Sequence, residues 1–440
     1  MEENISTQKP AKTKFTREEK SWILYDWANS SFATIMMAAI FPIYFSSVAR
    51  EAGQSGDFWW GLGTSAAMIL VAVLAPIIGA ISDFAGYRKK VFAVFFAIGV
   101  GFTALSAIAG NWILLLIGYA ISHVGFTGGN IVYDSFLAEV TTPDRMDKLS
   151  GYGFAFGYIG GSTIPFLMSI ALIMFGENFG VDTVLATRIS VGLCAVWWAV
   201  FTIPFFKNVR QRYSIERTEA RTVIRDAFSA AYRTAKRILK NKKIIFFIIA
   251  YFFYIDGVGT VITISTVYGD TLGLDSTSMI LALLVTQLIA FPCSIWFSTL
   301  SKRFGSLRMI RYAVIEYLLI CIVGFTMGLG LEQNLFGIST ATVLFWILAC
   351  MVGTVQGGIQ AISRSYYCQL VPPDNAGEYF GFFDIFGKFA AVLGPLFYSL
   401  VRGITGSPAF AILSIVALFL VGLILLGIGN KYLKADSTVE

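Results

Sequence analysis

The sequence predicts an all-α membrane protein with twelve transmembrane helices in two pseudo-symmetric six-helix halves. Three observations carry this. Apolar runs of about 20 residues recur along the whole chain, and one such run crosses a ~30 Å hydrocarbon core as a helix. Basic residues collect on alternate loops. The second half of the chain repeats signatures of the first at a fixed offset.

Of the 440 residues, 56% are hydrophobic and only 14% charged, where a soluble domain has about 45–50% and about 25%. A closed β-barrel would show ~10-residue alternating segments. The runs here are continuous, so helices are expected. The spans fall near 21–48, 61–82, 91–109, 112–139, 149–174, 188–206, 244–268, 279–300, 309–330, 337–364, 379–401 and 407–429. Pro42, Pro76, Pro165, Pro292 and Pro395 lie inside them, which membrane helices tolerate because neighbours satisfy the freed backbone groups. The chain divides into a tail (1–20), a first half (21–206), a linker (207–243), a second half (244–429) and a second tail (430–440). The first tail is polar and Lys-rich before a long apolar run, which reads as a cytosolic tail rather than a signal peptide.

Orientation follows from charge. With the N-terminus inside, 28 of the 33 Lys and Arg lie on the tails and even-numbered loops, and only Arg50, Arg188 and Arg402 lie outside. Both termini are expected in the cytosol, with the protein in the plasma membrane. The linker holds twelve basic and three acidic residues. Within it Ile224, Phe228, Ala231, Ala235 and Ile238 form a helical stripe, backed by Arg225, Arg233, Lys236, Arg237 and Lys240. Two readings stand: a helix on the anionic lipids of the inner leaflet, or a tether whose charges only fix topology.

The five cysteines lie in or beside apolar runs, and there is one histidine. A zinc site or disulfide framework is not expected, nor are a cofactor, a nucleic-acid partner or an obligatory protein partner.

The internal repeat is explicit. Pro143-Asp144 recurs as Pro373-Asp374, and Gly151, Gly157 and Pro165 recur as Gly381, Gly387 and Pro395. Spans four and five therefore correspond to ten and eleven. Repeated halves place a transport site at their interface.

At the end of span two stands Gly79-Ala-Ile-Ser-Asp83-Phe-Ala-Gly86-Tyr-Arg88-Lys89-Lys90. This resembles the loop 2–3 signature of the major facilitator superfamily. The second copy, Ser301-Lys302-Arg303-Phe304-Gly305, has Lys302 where the acid would sit. Tyr25-Asp26-Trp27-Ala28-Asn29-Ser30, together with Gly357-Gly358, Gln360, Ser363-Arg364-Ser365, Phe380-Gly381 and Gly387-Lys388-Phe389, is similar to the branch containing the autophagy-related vacuolar amino-acid effluxers of fungi and their bacterial relatives. The resemblance covers essentially the whole chain. It implies export or exchange of small solutes, amino acids among them.

Ionisable groups inside spans cost about 2.5–3.5 kcal/mol at the helix centre, which marks them for function. Asp256, beside Gly257 and Gly259, lies near mid-membrane and is read as a proton-titrating or amine-binding carboxylate. Asp26 shares the repeat offset with Asp256 but lies nearer the cytosol. It lines the cavity with Asn29, or it pairs with a cytosolic cation. Asp384 and Lys388 are placed to pair along one helix. His123, in span four, suits proton handling but is equally satisfied by one hydrogen bond. Gln356 and Gln360 share a face of span ten. Asp83 and Arg88, with Asp134 and its repeat counterpart Arg364, form a candidate cytosolic gate, Asp83 resting at the N-terminus of span eleven. Such contacts, if exposed, are worth about 0–1 kcal/mol each.

Gly381 to Gly387-Lys388 fails as a phosphate loop, because its spacing is wrong and Phe389 replaces Ser or Thr. No loop is long enough for an ATPase domain, so energy is expected from a gradient. The reading is an ion-coupled exporter of a small polar solute rather than an enzyme. The alternative is a lipid or hydrophobic-drug exporter of the same fold.

Overall fold

The computed structural model describes residues 14–216, 223–389 and 393–433. The chain is helical throughout these segments. The first half is α1 (Arg17–Glu51), α2 (Gly56–Asp83), α3 (Arg88–Ile108), α4 (Trp112–Val140), α5 (Pro143–Phe179) and α6 (Thr183–Asn208). The linker contributes α7 (Val223–Lys240). The second half is α8 (Lys242–Thr271), α9 (Ser276–Phe304), α10 (Ser306–Glu332), α11 (Ile338–Leu370), α12 (Ala376–Phe389), α13 (Leu393–Thr405) and α14 (Pro408–Ile428). Among the described residues eleven helices are long and apolar enough to cross a membrane. Together α12 and α13 occupy the eleventh predicted span, which completes twelve. Most helices run several residues past the predicted apolar windows, because their ends are polar turns lying outside the hydrocarbon.

Side-chain caps start many of these helices. Thr16 and Glu19 form a reciprocal capping box on α1, and Ser55, Asn111, Asp182, Asn241, Asp275 and Ser407 cap α2, α4, α6, α8, α9 and α14. The α2–α3 turn needs Gly86 at φ 74°, and the α9–α10 turn needs Gly305 at φ 87°, conformations that a side chain disfavours. Both belong to the two copies of the loop signature. Two helices carry a turn of π-helix, Ala33–Ala39 in α1 and Gly157–Thr163 in α5. Each lies just before a proline, Pro42 and Pro165, where the regular ladder loses a donor.

The halves meet at the end of the molecule that carries the termini. There the first part of α5 packs on α9 and α11, and α12 packs on α2. The rest of α5 (Ile164–Phe175) and α13 have their principal neighbours within their own halves. The expected linker stripe needs correction. Ala227, Ala230, Ala231, Thr234 and Ile238 are the buried face of α7, whereas Phe228 is 56% exposed. The apolar period is right, but α7 meets the last turns of α2 through Ala227 and Ala230, and Phe228 falls on the neighbouring, uncovered face. The Ile224 side chain lies outside the described residues.

Candidate functional site

Arg364 crosses from one half into the other. It stands on α11, yet its guanidinium lies among α1, α4 and α5. Its Nη1 donates to Asp134 at 3.0 Å and its Nη2 to Asp26 at 3.2 Å. Nε donates to the Ser150 hydroxyl at 2.9 Å, and Nη2 also reaches the Ser150 carbonyl at 3.3 Å. Three rings enclose it: its Cζ lies 4.7 Å from the centroid of Trp22, 4.5 Å from Phe154 and 5.6 Å from Tyr133. Trp22 and Tyr133 hold each other by stacking and by reciprocal bonds to each other's backbone carbonyls. Gly153 leaves the room for the Asp26–Arg364 pair, since a Cβ there would strike both side chains. Arg364 is only 5% exposed. The worth expected for an exposed pair therefore does not apply. Unpairing one member of a buried ion group costs about 3–5 kcal/mol.

Beside this box, Asp147 of α5 accepts from Ser365, Gln369 and Ser306 of the other half. The Ser150 hydroxyl donates to the Ala361 carbonyl at 2.8 Å.

Asp83 makes the second crossing. It is fully buried at the end of α2 and accepts from the backbone N–H groups of Gly377 and Glu378, each at 2.8 Å, in the first turn of α12. Arg88, also fully buried, is paired with both Asp83 and Glu139. Glu139 in turn accepts from the N–H groups of Arg212 and Tyr213 in the linker. The α2 and α12 backbones come close enough that a Cβ on Gly79 would strike the Gly377 carbonyl, and one on Gly377 would strike Ser82. Gly377→Leu is therefore expected to wedge this contact open. Overpacking of about 1–3 kcal/mol shifts a two-state balance about 5- to 150-fold. The check is a cysteine at Ala361, buried at the neighbouring α5–α11 contact between the halves: it should gain reactivity toward a water-soluble maleimide, and unchanged protection would show that the halves stay closed there.

The remaining candidates scatter. Asp256 is fully buried, and both its oxygens accept from the Gly394 N–H at 3.1 Å, near the start of α13. Its helix neighbour Thr260 donates to the Asp256 carbonyl at 2.7 Å. Asn29 donates to Asn130 at 2.7 Å within the first half, away from Arg364. His123 is buried against Tyr119 in that half's aromatic core, the ring centroids 5.6 Å apart. Gln360 bonds to the Gln356 carbonyl at 2.9 Å and reaches Tyr158 of the other half at 3.5 Å. The Gln356 Nε2 is buried without a hydrogen-bond partner, and Gln356 lines a largely apolar cavity of about 100 Å³ in the second half with Gln287, Tyr268, Thr286 and Phe345. Asp384 is half-buried on α12, but its expected partner, the Lys388 side chain, lies outside the described residues.

Sequence reading did not select Trp22, Phe154, Ser150, Asp147, Glu139 or Glu378. One signal was available for the first: Trp22 is four residues before Asp26 and so shares its helix face.

A family model described as vacuole effluxer Atg22 like matches residues 62–431. An uncharacterized MFS-type transporter of Bacillus subtilis, YxiO, is 42% identical over 430 residues, covering 96% of this chain and 97% of that protein. Autophagy-related protein 22 of Botryotinia fuckeliana is 25% identical over 287 residues, covering 61% of this chain and 48% of that protein. Among solved structures, the human organic anion transporter MFSD10 superposes with a TM-score of 0.70 at 15% identity, covering 95% of this chain and 100% of that one. A bacterial homologue of the iron transporter ferroportin gives 0.67 at 15% identity, covering 94% and 100%. With its loop 2–3 signature closing α2 on α12 and a family model spanning most of its length, the chain belongs to the Atg22-like effluxer family of the major facilitator superfamily.

Proposed function

We propose that this protein is a secondary active transporter that exports a small polar solute by alternating access, driven by an ion gradient. The observation that carries the reading is Arg364, held by one half while belonging to the other. A charge buried that way locks one end of a cavity and must be released for the other state to form. On this reading the structure is the outward-open state, with the end carrying the termini in the cytosol and the protein in the plasma membrane. Asp256 is the coupling carboxylate. Gln356 and Gln360 meet the solute, the unpartnered Gln356 amide offering it a donor. The effluxer family supports the outward direction of transport.

The test is a thermal-shift screen of the purified protein against amino acids, peptides, sugars and drugs, since a ligand at about 100 times its Kd stabilises by about 2.7 kcal/mol. Stabilising compounds are then assayed for counterflow in proteoliposomes. A ligand that stabilises without flux overturns transport in favour of a receptor. Flux confined to lipophilic compounds replaces the polar-solute reading with export of lipids or drugs. Topology has its own check. A cysteine in place of the exposed Ser229 of α7 should resist impermeant reagents added to intact cells, and labelling from outside would invert the orientation.

A further inference from the structure

The linker helix α7 has three faces, each with a different neighbour. At 100° per residue, Ala227, Ala230, Ala231, Thr234 and Ile238 share one face, which is buried. Ala227 and Ala230 pack with Ala80, Ile77 and Ile81 in the last turns of α2. Thr234 donates to the buried carboxylate of Glu378, in the first turn of α12. Glu378 is also the residue whose N–H is held by Asp83. The helix thus lies across the ends of spans from both halves, over the contact that closes this end. The linker segment before it is fastened there too, Ile215 bridging to Phe84 with its N–H on the Asp83 carbonyl at 2.9 Å.

The second face is apolar and uncovered. Phe228, Tyr232 and Leu239 stand within about 40° of one another around the helix and are 56%, 63% and 69% exposed. The third face, adjoining it, is basic: Arg233, Lys236, Arg237 and Lys240 are exposed, and Lys236 sits over the Tyr232 ring at 4.5 Å. An aromatic edge beside a basic edge, set at the level of a spanning helix's last turn, is the arrangement of a helix lying in a membrane surface. The packing of Ala227 and Ala230 on Ile77 and Ile81 sets the helix beside the last turns of α2. The basic edge complements anionic headgroups.

We propose that α7 docks on the anionic leaflet at the termini side and that this docking holds the gate shut. The proposal rests on the reading of the α2–α12 contact as a gate. Only a contact that differs between two states shifts their balance. The seat of α7 is such a contact, because it packs on α2 of the first half and bonds through Thr234 to Glu378 on α12 of the second, and both are made together only while α2 and α12 are together. Leaflet binding fixes α7 at the depth where that seat forms.

The experiment uses the full chain with its native cysteines replaced by alanine and spin labels at Ala85→Cys and Lys302→Cys, exposed positions on opposite halves. Distances are measured in vesicles of phosphatidylcholine alone and with about one third phosphatidylglycerol. The closed-to-open ratio should rise about tenfold in the anionic vesicles, given roughly a factor of five per engaged basic residue and incomplete engagement. High salt, which cuts the screening length to about 3 Å at 1 M, should abolish the rise. Phe228→Ser with Tyr232→Ser and Leu239→Ser should abolish it too, and so should Lys236→Gln with Lys240→Gln. All five positions are exposed, so folding is spared. The same distance distribution in both vesicle types overturns the proposal, and so does a full response in both variants. Arg364→Ala separates the two ideas. If it lengthens the distance while lipid charge does not, the gate stands and the lipid role falls. If nothing lengthens it, the gate reading falls and takes this proposal with it.

Discussion

Arg364→Ala is expected to reduce flux about a hundredfold or more and to open the end of the protein that carries the termini. Truncation leaves Asp26 and Asp134 facing each other without their shared cation, and it empties a space between Trp22 and Phe154. Breaking a buried ion group in this way costs about 3–5 kcal/mol, and each 1.4 kcal/mol is a tenfold shift in population. Almost all of that cost falls on the closed state, because Arg364 meets these groups only when the halves are together. Arg364→Lys keeps the charge but loses the planar fork that reaches Asp26, Asp134 and Ser150 at once. It should fall between Ala and wild type. A simple exchange of Asp134→Arg with Arg364→Asp should restore little, because the new carboxylate would face Asp26. Flux in proteoliposomes and the Ala85–Lys302 distance check these outcomes. Wild-type flux and an unchanged distance in Arg364→Ala would remove Arg364 from the gate.

The second large effect is expected at Asp256, where two roles overlap. The carboxylate accepts from the Gly394 N–H, so it satisfies the first turn of α13 inside the membrane. Asp256→Ala leaves that N–H without an acceptor, at a cost of about 1–3 kcal/mol, and should lower both stability and flux. Asp256→Asn keeps an acceptor of the same shape but cannot exchange a proton. It should fold with little loss and carry a flux that no longer responds to a pH gradient. Thermal melts and gradient-driven uptake separate the roles. An Asn variant with wild-type pH dependence would leave Asp256 as a cap alone.

The spans, the two halves and the loop signature were legible because they are written in local patterns: apolar run length, alternating charge and a repeat of fixed offset. The pairing of Asp134 with Arg364 was within reach for the same reason, since the repeat sets them at equivalent positions. The rest of the Arg364 enclosure was not. Asp26 and Arg364 are separated by 338 residues, and no periodicity places an α1 carboxylate beside an α11 guanidinium. The depth argument for Asp26 gave its level in the membrane, and its partner followed only from how α1 and α5 pack. Gly153 illustrates the limit. Its meaning is the space it leaves for two side chains from other helices, which a single sequence does not display. The linker stripe failed differently. The period was read correctly, but one stripe was read where the helix has two apolar faces: Ala231 and Ile238 are buried against the protein, whereas Phe228 lies on the uncovered face.

The Asp134–Arg364 pair also bears on how such a chain can arise. Residues at the repeat offset occupy corresponding places in the two halves, and here they touch. In an assembly of two identical six-helix units that place would meet its own copy across the twofold axis. Two aspartates or two arginines would then repel at the point where the halves must close. An attractive lock at that position is open only to unlike halves, so divergence of the two copies is a physical requirement of this gate. Restoring perfect internal symmetry at these two positions, by either residue, would recreate the homodimer's problem within a single chain.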